Sequence, residues 1–289
     1  MVNIKGEFIN FLKNEKMLSS NTIESYTRDL NQFYDFIDSF GLDFKNVRKS
    51  TILNYLYFLK RNNKSQATIS RQLSSLKSFY QFLFLNKITD EDPTYNIDKP
   101  KIEKKLPETL SFDQINSLLS LEYGNDEKGL RDKALIELLY STGMRVSEII
   151  EIKIQDINLN YGFVICKAGK ERVLPIGRFA VEALKNYIEK VRINAKKDDI
   201  LFLNLKGKKL TRQGCWKIIK EYTLKINPGF TITPNTLRQT FAQHMIENGA
   251  DMRSVQELLG YQTEYNNTLI SLKSKSKIKE VYNKYHPHA

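Results

Sequence analysis

The sequence predicts a mainly α, α+β fold in two domains. One is an all-helical N-terminal domain, and the other is mostly helical with a small antiparallel β-sheet. Three observations lead there. The chain has 289 residues, 41% of them hydrophobic, which suffices for a buried core in each of two ordinary domains. Apolar residues recur at three- and four-residue steps through most of its length. That period gives way to short β-rich runs only between Ile152 and Pro175, around a turn at Ala168-Gly169.

A short helical pattern surrounds Phe8 to Leu12. From Asn21 to Phe36, the residues Ile23, Tyr26, Leu30, Phe33 and Phe36 form one stripe, with Asn21 and Glu24 placed as a capping pair. Stripes at Ile52 to Leu59 and Ile69 to Phe84 complete a bundle with an aromatic-rich core, assigned to residues 1–92. Asp90, Glu91, Asp92, Pro93, Pro100, Lys101, Glu103, Lys104, Lys105 and Pro107 then make a charged, proline-punctuated segment, read as a linker over 93–107. In the second domain, 108–289, Ser111 and Gln114 are placed to cap a helix and Leu130 to Tyr140 supplies another. After the β-rich hairpin, helices are expected at Phe179 to Val191, Thr211 to Leu224, Pro234 to Glu247, Met252 to Leu259 and Lys275 to Lys284.

Lys and Arg number 45 against 33 Asp and Glu, a net charge of +12 that points to a polyanionic partner. The stretch from Thr51 to Thr89 holds Lys60, Arg61, Lys64, Arg71 and Lys77 and no acid, as expected of a surface facing phosphates, where each cation releases a condensed counterion. Cys166 and Cys215 lie far apart and belong to no ligand cluster, so neither a zinc site nor a disulfide framework is expected. The opening MVNIKGEF has no apolar signal region and no later apolar run approaches the ~18 residues of a membrane span. A cytoplasmic protein is the expectation.

Three basic residues stand where local structure would fix them. Arg145 lies in STGMRVSEII (141–150), after a small-residue break, with Glu148 three residues on to orient its guanidinium. Lys167 lies at the tip of the hairpin FVICKAGKERVLPIG (163–177). Arg238 lies in TPNTLRQTFAQHM (233–245), in the first turns of a helix whose N-terminus favours an anion.

In that order these segments resemble the tyrosine recombinases and integrases, and within them the simple bacterial Xer type. LSSNTIESYTRDLNQF (18–33) is similar to the family's SAM-like core-binding domain, and LLYSTGMRVSEI to its first arginine box. VICKAGKERVLP resembles the catalytic hairpin, TPNTLRQTFAQHMIENGADMRSVQELLG (233–260) the second arginine box, and HPHA (286–289) the Xer tail. The resemblance implies a C-shaped clamp on duplex DNA and a tyrosine that attacks a phosphodiester to give a 3'-phosphotyrosyl link. It implies that Arg145 and Arg238 hold the non-bridging oxygens while Lys167 protonates the leaving hydroxyl, with no metal and no cofactor. It also implies a DNA-bound tetramer, or a heteromer with an active Xer-type recombinase.

The departures from the family pattern shape the functional reading. Asn235 replaces the histidine three residues before Arg238, and Tyr261 stands where histidine or tryptophan follows the LLG. An amide donates a hydrogen bond but takes no proton from a phenol. Nine residues after Tyr261, at the nucleophile's position, stands Ile270. Tyr265 is the first substitute to consider, although five residues along a helix would turn it about 140° away. Tyr282 and Tyr285 follow later. The expected function is binding of duplex DNA at specific sites in DNA recombination or integration, with strand cleavage impaired or lost. The alternative is an active recombinase using a relocated tyrosine such as Tyr265. Lys209, Thr211, Arg212 and Gln213 are candidate base readers, while Trp216 is read as core. Val281, Tyr282 and Tyr285 share a helical stripe with Ile278, packed within the chain or on a neighbouring subunit.

Overall fold

Aromatic side chains build the N-terminal bundle. Its helices are α1 (Val2–Asn14), α2 (Ser20–Asp38), α3 (Lys49–Arg61) and α4 (Gln66–Leu85), with a 3-10 turn at Phe44–Asn46. Helix α4 lies against the other three and buries Leu73, Leu76, Phe79, Tyr80 and Leu83. Phe8 meets Phe79 edge-on at 5.2 Å, and Phe33 meets Tyr55 at 5.0 Å. Such contacts add to the area term that drives the core together. The bundle belongs to a computed structural model that describes residues 2–100, 108–169, 171–226, 232–261 and 273–289, and that divides into two units, 1–105 and 106–289.

The periodicity placed every helix of this bundle but set the ends inward. Helix α2 is capped by Ser19, whose hydroxyl accepts from the Thr22 amide, rather than by the Asn21–Glu24 pair. Helix α4 repeats the device with Ser65 and Thr68. In both, a hydroxyl meets one of the amides that a helix start leaves without an internal partner. The expected linker also begins too early. Ile97 is 5% exposed within the first core, and the Thr94 amide donates to Asp92 at 2.8 Å, so 93–100 pack with this unit. Residues 101–107 lie outside the described residues.

In the second unit α5 (Phe112–Leu119) carries the expected capping box: the Gln114 amide donates to Ser111 Oγ and the Ser111 amide to Gln114 Oε1. Helix α6 (Glu127–Thr142) is the central element. It is buried almost all round, packs along α8 (Arg178–Val191), and stops at Gly143 with φ +59°. A four-residue helix α7 (Val146–Ile149), absent from the sequence reading, follows. The sheet is β1 (Ile157–Asn158), β2 (Phe163–Cys166) and β3 (Arg172–Pro175), antiparallel in that order, with Val164 opposite Leu174 and Cys166 opposite Arg172. Gly169 takes φ +83° in the expected hairpin turn. Helices α9 (Arg212–Ile226), α10 (Pro234–Glu247), α11 (Met252–Leu259) and α12 (Lys273–Tyr285) complete the unit. No described helix is long and apolar enough to cross a membrane.

Helix α12 packs on its own unit through Tyr282. Tyr282 is 1% exposed and shares a 2.7 Å hydrogen bond with Ser141 Oγ, which also accepts from the Gly177 amide. Beyond it three histidines gather at Tyr140. His244 Nδ1 bonds the Tyr140 hydroxyl, while the His286 and His288 rings lie 5.2 and 5.6 Å from the Tyr140 ring. Burial lowers all three pKa values, that of His286 to about 3. The unfolded chain therefore binds more protons than the folded one below the ordinary histidine value of about 6.5. Stability should be intact above that pH and fall steadily toward pH 3, at about 1.4 kcal/mol per unit for His286. Urea unfolding between pH 7 and 4 checks this, and His286→Phe should flatten the slope.

Candidate phosphate-binding site

Two arginines converge because two helices end beside each other. Helix α6 stops at Gly143, where a Cβ would lie 2.5 Å from Phe241 Cδ1, so only glycine permits the turn. Arg145 then caps α7, its own amide held by Glu148 Oε2 at 2.7 Å. Arg238, 5% exposed on α10, donates from Nη1 to the Gly143 carbonyl and from Nη2 to the Leu259 carbonyl, both at 2.6 Å. Arg145 Nη1 reaches the same Leu259 carbonyl at 3.4 Å. Gly260, at φ +69°, ends α11 and delivers Tyr261, whose half-exposed ring lies 5.7 Å from the Arg145 guanidinium and 5.3 Å from that of Arg238.

The electrostatics favour an anion. Burial, and after it the neighbouring Arg145 charge, lowers the Arg238 pKa. A phosphate between the two guanidiniums would relieve that repulsion and accept directed hydrogen bonds from both. Beside them opens a concavity of about 300 Å³ lined by Met144, Arg145, Arg212, Trp216, Asn235 and Arg238. Trp216 is thus 37% exposed at a site wall, not the core residue expected, with Lys220 Nζ 5.0 Å from its ring.

Glu148 holds more than the sequence suggested. It receives Arg145 Nη1 at 3.0 Å, as expected, and also a fork from Arg172, Nη1 at 3.1 Å and Nη2 at 2.9 Å. Burial alone would raise its pKa, but the Arg172 and Arg145 donors outweigh that and hold it below the ordinary glutamate value. Sequence reasoning missed Arg172. The pairing of Cys166 with Arg172 across the hairpin was the signal, and it is visible only once the register is known.

Lys167 stands apart from the arginine pair. Its ammonium binds buried Asp156 at 2.5 Å, and that hydrogen bond raises its pKa. The two line a separate concavity with Glu148, Cys166 and Ala168. An ammonium has three donors, and the Lys167 side chain is 54% exposed, so the Asp156 pair orients the ammonium without using all of its N–H groups. Other expected residues are also engaged. Arg71 pairs with Asp29, which is 3% exposed, instead of presenting a free cation. Lys209 pairs with Glu151, and the Thr211 hydroxyl accepts from the Gly214 amide at the start of α9. Lys77 is half-buried, while Lys60, Arg61, Lys64, Arg212 and Gln213 are exposed. Of the remaining tyrosines considered as nucleophiles, Tyr282 is sealed against Ser141 and Tyr285 packs on Gly249. Ile270 and Tyr265 lie outside the described residues. Both cysteines are buried and free, Cys215 with its pKa pushed up to about 12 by burial. Among the described residues no group of three or more His, Cys, Asp or Glu side chains is arranged to hold a metal.

Comparison with known proteins gives this arrangement a family. The phage integrase family model matches residues 108–267, and the N-terminal SAM-like domain of phage integrases matches 6–87. The chain belongs to the phage integrase family, the tyrosine recombinases. Within that family its relatives make it Xer-type. It is 59% identical over 286 residues to a tyrosine-recombinase family protein of Caldanaerobacter subterraneus subsp. tengcongensis, covering 99% of each chain. It is 43% identical to the tyrosine recombinase XerD of Oceanobacillus iheyensis, covering 98% of each, and 40% identical to that of Halalkalibacterium halodurans, covering 98% and 97%. Among solved structures, the fold is similar to the Tn1549 transposon integrase in complex with circular intermediate DNA, with TM-score 0.71, 20% identity and coverage of 98% and 94%. It is also similar to the XerH site-specific recombinase bound to difH, with TM-score 0.68, 20% identity and coverage of 97% and 82%.

Proposed function

We propose that this Xer-type chain binds duplex DNA at specific sites, seats one phosphodiester on Arg145 and Arg238, and no longer cleaves through the family's nucleophile position. The observation that carries the proposal is the convergence of those two guanidiniums on the Leu259 carbonyl, with Tyr261 beside them. Tyr261 adds a phenolic donor to the same phosphate. At the nucleophile's position Ile270 has no atom that attacks phosphorus, and Asn235 offers no general base. Such a chain acts within a DNA-bound assembly, as the silent partner of an active Xer-type recombinase. The net charge of +12 and the exposed Lys60, Arg61, Lys64, Arg212 and Gln213 supply its remaining contacts to the duplex.

A second reading keeps cleavage and moves the nucleophile to Tyr265. The burial of Tyr282 and the packing of Tyr285 on Gly249 favour Tyr265 among the substitutes. A nicked suicide duplex carrying the host's Xer-type site separates the readings on a denaturing gel. The expected result is a salt-sensitive gel shift with no covalent adduct. An adduct that Tyr265→Phe abolishes would establish the second reading in place of the first.

A further inference from the structure

We infer that Arg172 is a positioning residue of the phosphate site: it fixes Glu148, and through Glu148 sets the Arg145 guanidinium against the anion. The inference rests on the proposed seating of a phosphodiester on Arg145 and Arg238. Its side chain is 9% exposed and donates to Glu148, the Leu258 carbonyl and Cys166 Sγ. Each Glu148 oxygen serves both arginines: Oε1 accepts from Arg145 Nη1 and Arg172 Nη1, and Oε2 from the Arg145 amide and Arg172 Nη2. One carboxylate thus lies between two cations, and the trio keeps a net positive charge. Without Arg172 the whole carboxylate charge would fall on Arg145, competing with a phosphate for the same guanidinium.

The same side chain ties together α7, the end of α11 and the hairpin. Nε donates to the Leu258 carbonyl at 2.9 Å, one residue before the carbonyl that receives Arg238 and Arg145. The guanidinium lies flat against Gly260, where a Cβ would come within 3.0 Å of Arg172 Cζ, so it also braces the turn that delivers Tyr261. At the turn end of the hairpin it stands opposite Cys166, with Nη1 3.2 Å from Sγ, next to the residue Lys167. A planar fork spans a carboxylate and a backbone carbonyl together, which an ammonium on a flexible stem does not.

The test measures how strongly the protein prefers a charged phosphate at the site. Duplexes carrying the host's Xer-type site receive one neutral methylphosphonate at a time through the central region, and affinity is measured for the parent, Arg172→Lys and Arg172→Met. In the parent, one position should lose affinity well beyond its neighbours. Both variants should lose about tenfold or more of that one preference, as expected when a hydrogen bond to a charged group is misplaced. The penalties at the other phosphates should stay as in the parent. A role confined to stability would lower the thermal midpoint and leave the preference intact. Arg172→Lys keeps a cation beside Glu148 and decides the matter if Arg172→Met does not fold. Full retention of the preference in the folded variants would overturn the role of Arg172. A parent with no such position would overturn the phosphate-seating reading and this role with it, before any variant is measured.

Discussion

Glu148→Ala is expected to lower the unfolding free energy by about 3–5 kcal/mol, the cost of removing one partner from a buried ion pair. Glu148 is 5% exposed and accepts four donors, two from Arg145 and two from Arg172. Its loss takes the carboxylate from Arg172, a buried cation that also donates to the Leu258 carbonyl and to Cys166 Sγ. The pH dependence follows from the lowered pKa of Glu148. A depressed folded pKa gives stability that is present above the unfolded glutamate value of about 4.3 and is lost as pH falls through the folded one. The gap between the parent and Glu148→Gln should therefore be full at pH 7 and shrink in acid below pH 4. Urea unfolding followed by the fluorescence of the single tryptophan, Trp216, measures both quantities. Equal stability of parent and Glu148→Ala at pH 7 would show that the four hydrogen bonds contribute nothing net.

Tyr282→Ala should cost about 3–5 kcal/mol, as large-to-small changes at buried aromatics do, unless the C-terminal segment lets go as a whole. Tyr282 fills space between α6 and β3 and stacks on His286 with ring centroids 4.6 Å apart. Its hydroxyl and the Gly177 amide share Ser141 Oγ, so Tyr282→Phe removes one buried hydrogen bond and should cost only about 1 kcal/mol. Limited proteolysis separates the two ways of losing the larger amount. Clipping near residue 273 at native pH would mean that α12 undocks, while a lowered urea midpoint without clipping would mean that the cavity is tolerated in place. Gly177 offers a second approach to the same contact. A Cβ there would lie 2.1 Å from the His288 carbonyl oxygen and 3.0 Å from the Tyr282 hydroxyl oxygen, so Gly177→Ala should displace the last residues and press on the Tyr282–Ser141 contact.

Local patterns made the helices legible. The three- and four-residue recurrence of apolar side chains placed α2, α4, α10 and α11 because an amphipathic helix writes its buried face into the chain. Their ends were less legible. Ser19 and Asn21 are both good caps by residue type, and only the backbone turn at Ser19 selects between them. Helix α7, four residues long, is too short to show a period at all. The start of the linker was misplaced because Pro93 and its acidic neighbours look like a solvated segment, whereas Ile97 finds a place in the first core.

The residues of the site divide in the same way. Arg145, Arg238, Asn235 and Tyr261 could be named from the sequence, since each lies in a contiguous segment whose spacing carries the resemblance. What those side chains touch was decided elsewhere in the chain. Lys167 is bound to Asp156, eleven residues away, and Arg172 reaches Glu148 across twenty-four. Arg71 finds Asp29 across forty-two. Contacts at that range depend on how strands pair and helices cross, which no local period records. By itself the sequence determined the family, the helical and hairpin elements and the basic charge, because composition, periodicity and motif order are properties of the linear chain. Only the tertiary structure decided that two arginines converge on one carbonyl, that Arg172 shares Glu148 with Arg145, and that the C-terminal helix packs on its own unit, because each of these is a matter of packing between distant segments.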